Sequence, residues 1–142
     1  KIASISSGLY ASPAYVERAG RIASPAQLAQ AHCLNLQTSQ GPMPWVVGGH
    51  RWNDAPGSCT ISANSVALLR TLAEEGHGVA LLPQHLVRVS LQASKLVPVL
   101  EAEKTISWPL YAITASRLIT KGLRLLFAHV KNELRTSHSE VL

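Results

Sequence analysis

The chain has 142 residues, 46% of them hydrophobic and 15% charged, with 13 Lys and Arg against 8 Asp and Glu for a formal net charge of +5. That length suits one hydrophobic core or one and a part, and no stretch reaches the roughly 18 uninterrupted apolar residues that a membrane span requires. A soluble globular domain without membrane contact is expected, and the modest charge does not by itself make a nucleic-acid binder.

In chain order, Lys1 to Ser6 alternates apolar and polar residues like a half-exposed strand and lacks the apolar core of a secretory signal. The chain starts without Met, and an upstream portion, processed or cleaved away, is expected. A second strand, Leu9 to Ala11, leads to a short helix with Ser12 as cap and Pro13 at its first position. The same device returns at Ser24-Pro25-Ala26-Gln27, where Ser24 and Gln27 have capping-box spacing, and a strand from Cys33 to Gln37 follows. Residues 38 to 57 are the most irregular, with Trp45-Val46-Val47 as a short strand before a turn and Trp52 beyond it.

A strand from Cys59 to Ser62 precedes a helix opened by Asn64 or Ser65, with Val66, Leu69, Leu72 and Ala73 on one face and Gly76 at its end. The apolar run Val79 to Leu82 then stops at Pro83. Helix, two-glycine turn and buried strand in this order are half of a crossover unit in a parallel sheet. Its expected core is Leu69, Leu72, Val79, Leu81 and Leu82. A helix from Pro83 to about Val89, a strand from Leu96 to Leu100 and a strand from Pro109 to Thr114 come next. In the final helix, capped by Thr120, a basic stripe of Lys121, Arg124, Lys131 and Arg135 lies opposite Leu123, Leu126, Phe127, Val130 and Leu134. The solvated face of an amphipathic helix accounts for that stripe.

Little here suggests chemistry. Cys33 and Cys59 are widely spaced among small or apolar neighbours and read as buried or semi-buried thiols. His32, His50, His77, His85, His129 and His138 show no metal-ligand spacing. No serine sits in the tight elbow that a hydrolase nucleophile needs. Accordingly no catalytic residue, metal or cofactor is expected.

The segments Leu9-Tyr10-Ala11-Ser12-Pro13-Ala14-Tyr15, Ser24-Pro25-Ala26-Gln27-Leu28, Gly76-His77-Gly78-Val79-Ala80-Leu81-Leu82-Pro83, Lys95-Leu96-Val97-Pro98-Val99-Leu100, Pro109-Leu110-Tyr111-Ala112 and Ser116-Arg117 stand in the order and spacing of one family. Over essentially its whole length the chain resembles the effector-binding domain of LysR-type transcriptional regulators. The resemblance implies an α/β fold like that of type II periplasmic binding proteins, with a mostly parallel central sheet flanked by helices. It assigns residues 1–11 to a crossing strand and a remnant of effector lobe one. Residues 12–108 become lobe two, and 109–142 a second crossing strand, with Leu110 to Ile113 as the crossing, and the return helix of an incomplete lobe one. The family places a winged helix-turn-helix, a linker helix and half of lobe one ahead of the segment that matches Lys1.

The implied function is small-molecule sensing in a bacterial regulator, with DNA contacted only through an N-terminal domain absent from this chain, in a cytoplasmic homo-oligomer, dimer or tetramer. A periplasmic solute-binding protein and an α/β enzyme are the rival readings. Strand ends followed by helix starts offer unpaired N–H groups suited to an anionic effector. Ser12, Asn64, Ser65, Pro83 and Gln84 are therefore the candidate ligand-binding residues, with Gln37 and Thr38 adding side-chain hydrogen bonds. One small anion is expected at Asn64 and Ser65, within reach of Ser12.

Overall fold

The computed structural model describes residues 1–57, 59–113 and 120–139. The chain divides into two units, the first built from Lys1–Ile5 and Ser107–Leu142 and the second from Ser6–Ile106. Where two strands were expected near the start, one continuous strand, β1 (Ala3–Ala11), runs instead. Gly8 lies within it, and a Cβ there would press on the Tyr10 ring, which occupies that space.

Unit two continues through α1 (Pro13–Ala19), a 3-10 helix (Pro25–Gln30), β2 (His32–Thr38), β3 (Gly41–Pro42), β4 (Trp45–Val47) and β5 (His50–Trp52). It is completed by β6 (Cys59–Ala63), α2 (Val66–Glu74), β7 (Val79–Pro83), α3 (Gln84–Gln92) and β8 (Val97–Val99). Its sheet is mixed. β6, β2 and β7 run parallel, β1 runs antiparallel to β7 and to β8, and β3 folds back on the end of β2. The irregular stretch holds a separate hairpin of β4 and β5 that pairs Trp45 with Trp52.

Strand alternation divides the core between the two faces of the sheet. On one face Leu9, Ala11, Cys33, Val79 and Leu81 pack with Tyr15, Leu28, Trp45 and Val47 beneath α1 and the hairpin. On the other, Tyr10, Leu34, Ala80 and Leu82 pack with Leu69 and Ala73 of α2 and Val87 of α3. Of the expected core, Leu69, Val79, Leu81 and Leu82 are buried, and Leu72 is half-buried against the second cluster. The Cys33 thiol is buried; the Cys59 side chain lies outside the described residues.

The helix ends follow local rules. Ser12 Oγ accepts the Tyr15 N–H at 3.1 Å, and Gln27 Oε1 accepts from Ser24 N at 3.3 Å, the backward half of a capping box. At the end of α2, Gly76 N donates to Ala73 O at 3.1 Å and His77 N to Leu72 O at 3.0 Å, the paired bonds of a Schellman motif. Gly76 has φ +82, which a side chain disfavours, and a Cβ on Gly78 would collide with the His32 carbonyl. The two glycines thus serve different needs, a left-handed turn and a close backbone approach.

In unit one, β9 (Ser107–Leu110) pairs with β1, with Ile2 N donating to Leu110 O at 2.8 Å. The strand expected over 109–114 therefore starts two residues early and stops at Leu110. Tyr111, Ala112 and Ile113 are exposed and in no strand, and Thr114, Ser116 and Arg117 lie outside the described residues. α4 (Lys121–Ser139) opens at Thr120, whose Oγ1 accepts from Leu123 N at 3.4 Å. Leu123, Phe127 and Val130 are half-buried, but Leu126, expected beside them, is 53% exposed. Lys121, Arg124 and Lys131 are exposed as a solvated stripe requires; the side chains of Leu134 and Arg135 lie outside the described residues. Among the described residues no helix is long and apolar enough to cross a membrane.

Candidate functional site

The registers of unit two bring several candidates to one level. Cys33 pairs with Val79 and Leu34 with Ala80, Leu36 pairs with Ala63, and Ser7 pairs with Pro83. Carried forward along the parallel strands, these registers place Asn64, Gln37, Pro83 and Ser7 in one row across β6, β2, β7 and β1. At about 4.8 Å per strand the row is about 14 Å long. It marks the edge where the three parallel strands end and two helices begin, the usual position of ligands in open α/β sheets.

The row offers polar groups of different availability. Gln37 and Asn64 are exposed. Thr38 is engaged in the turn to β3, its Oγ1 donating to Gly41 O at 2.8 Å and accepting from Gln40 N at 3.1 Å. Ser65 is the N-cap of α2, its Oγ accepting from Leu68 N at 3.3 Å. Asn64 stands one residue outside the helix. Pro83, buried, holds the N-cap position of α3 and supplies no side-chain cap, so the first N–H groups beyond it, starting at the exposed Gln84, lack that partner. Arg70 of α2 steadies this helix start: Nη1 donates to Leu86 O at 3.1 Å, and Nε lies 3.6 Å from Glu74 Oε1. Glu74 in turn accepts from Ser90 Oγ at 2.5 Å.

Ser12 does not join them. Because β1 runs against β7, Ser12 falls at the opposite edge of the sheet, where a Cβ on Gly76 would stand 3.2 Å from its Oγ. From Ser65 to Gly76 the α2 helix extends about 16 Å at 1.5 Å per residue, so one small anion cannot touch both Ser12 and Ser65. The expectation of a shared anion is corrected accordingly. The residues had suggested the caps, but not that β1 is antiparallel.

Two further polar features escaped the sequence reading. Asn35, fully buried within β2, accepts from Trp45 Nε1 at 2.9 Å and donates through Nδ2 to Asp54 Oδ1. Its signal was a polar residue inside the apolar run Cys33 to Leu36. The other is Ser7, which shares a face with Leu9 and Ala11 and is buried, its Oγ without a hydrogen-bond partner among the described residues. Burial pushes the Cys33 thiol up to about 12. It also raises the Tyr10 phenol, with the Glu101 carboxylate adding to the shift. These groups stay neutral at ordinary pH, and the row carries no nucleophile–base pair. Among the described residues no group of three or more His, Cys, Asp or Glu side chains could hold a metal ion.

A family model described as the LysR substrate binding domain matches residues 1–135. Among solved structures, the regulatory domain of AphB from Vibrio vulnificus is similar at 20% identity and a TM-score of 0.68, covering 94% of this chain and 67% of that one. CrgA from Neisseria meningitidis is similar at 24% identity and a TM-score of 0.67, covering 94% of this chain and 46% of that one. Full-length AphB from Vibrio cholerae is similar at 24% identity and a TM-score of 0.57, covering 75% of this chain and 37% of that one. The present chain thus spans well under half of that full-length relative. No curated protein matches.

Proposed function

The chain belongs to the family of LysR substrate-binding domains, and on that premise we propose that it senses a small-molecule effector for a bacterial LysR-type transcription regulator. The observation that carries the site is the row of Asn64, Gln37 and Pro83 at the uncapped start of α3. Free N–H groups and a positive dipole end favour a carboxylate or another small anion there. One such interaction is worth only about 0.3–2 kcal/mol, so the Asn64, Gln37 and Gln84 side chains have to converge with it. Ser65 and Thr38 contribute by fixing the adjoining backbone, since their hydroxyls are already engaged.

In this reading unit two corresponds to effector lobe two, and unit one to the remnant of lobe one. The effector acts by population shift: it binds one arrangement better and thereby changes how the oligomer presents its DNA-binding parts, which belong to a domain outside this chain. No chemistry is performed on the ligand, and the regulator works in the cytoplasm. In this reading the chain works within a homo-oligomer, dimer or tetramer.

Calorimetric titration with small carboxylates tests the site. Asn64→Ala and Gln84→Ala weaken binding and leave the unfolding midpoint nearly unchanged. Ser65→Ala costs about 1 kcal/mol of stability as a lost cap, and Ser12→Ala leaves affinity untouched. Equal affinity in wild type, Asn64→Ala and Gln84→Ala would remove the row from the site.

A further inference from the structure

We infer that the Ser7 hydroxyl, buried beside Pro83 at the start of α3, is a hydrogen-bonding group for a carboxylate on the effector. The inference rests on the effector reading given above and adds to it a residue from β1.

Ser7 is only 5% exposed, and its Oγ has no partner among the described residues. Buried hydroxyls are nearly always bonded, because leaving one unmade forfeits the water it gave up. The surrounding fold makes no use of this one. Thr105 donates its Oγ1 to the Ser7 carbonyl at 2.5 Å and not to the hydroxyl. The next residues of β1 on that face, Leu9 and Ala11, are apolar and buried, so packing alone would be served as well by Ala or Val.

Its place explains the choice. Ser7 and Pro83 are directly opposed on antiparallel strands, which turns both side chains to one face with Cβ atoms about 4.5–5.5 Å apart. Pro83 is where α3, nine residues long, begins without a side-chain cap. A carboxylate at that point has one oxygen for the helix N–H groups and a second for a hydroxyl donor on the neighbouring strand, and charge-assisted bonds of this kind are the stronger class. The hydroxyl is closed off from solvent in the present state. Engaging it therefore requires a local shift of the chain around Ser7, and a ligand that gains a bond only after that shift favours the shifted arrangement.

The test is calorimetric titration of the 142-residue chain with acetate, succinate and benzoate as probes. Ser7→Ala is expected to weaken the best-bound probe about tenfold or more, the loss of one hydrogen bond to a charged group, while its unfolding midpoint stays level or rises because an unused polar group has been removed. Ser7→Thr, which keeps the hydroxyl, restores most of the affinity. Should Ser7→Ala fail to fold, Ser7→Cys keeps the shape with a weak donor and is read in the same way. Unchanged affinity in Ser7→Ala, with Asn64→Ala weakened, overturns the role of Ser7 and leaves the row in place. Wild-type chain that binds none of the probes overturns both.

Discussion

Ser12 and Gly76 meet at one corner of unit two: a Cβ on Gly76 would stand 3.2 Å from Ser12 Oγ. The same hydroxyl caps α1 through Tyr15 N, and Arg18 Nη2 donates to Gly76 O at 2.8 Å. α1 and the end of α2 are thereby joined, at the edge of the sheet away from the row that contains Pro83.

Gly76→Ala is expected to destabilise the chain by about 1–2 kcal/mol, since φ +82 is a conformation that residues with a Cβ rarely adopt. Ser12→Ala costs about 1 kcal/mol as a lost cap. Because the added Cβ would press on Ser12 Oγ, which Ser12→Ala removes, the double variant should depart from additivity. Urea unfolding of the two single variants and the double variant measures all three; strict additivity would refute the contact.

Asn35→Leu removes the acceptor for Trp45 Nε1 and the donor to Asp54 at once. Leaving a buried indole N–H unpaired costs about 1–3 kcal/mol. A lower urea midpoint together with altered near-ultraviolet dichroism of Trp45 is the expected pair of results.

Leu81→Asp should abolish folding. Leu81 is buried in β7 opposite Leu9, and an unpaired carboxylate there costs several kcal/mol, comparable with the stability of a whole domain. Soluble protein with a cooperative unfolding transition would refute this placement.

Burial raises the Cys33 thiol from its ordinary 9.0 to about 12. Between those values the unfolded chain has lost the proton and the folded chain has kept it, so stability falls as pH rises, by at most about 1.4 kcal/mol per unit for this group. Below pH 9 the contribution is fully present. Urea midpoints from pH 8 to 11 should decline in wild type and more gently in Cys33→Ala. Peptide mapping after iodoacetamide treatment at pH 8 should find Cys33 unmodified in the folded chain.

What the sequence alone determined is local. The Ser12-Pro13 start of α1, a helix opening at Asn64 or Ser65, the Gly76 turn and the strand from Val79 to Leu82 were all legible, and the structure adds only Pro83 to that strand, because each rests on hydrogen bonds or backbone angles spanning a few residues. The motif order around them carried the family as well. What only the tertiary structure decided is which ends meet. Ser12 and Asn64 look equivalent as residues that precede helices, yet the antiparallel pairing of β1 with β7 sends them to opposite edges of the sheet. That same pairing sets Ser7 beside Pro83, 76 positions along the chain. Register is fixed by whole strands burying their faces against distant partners, and no window of neighbouring residues contains that information.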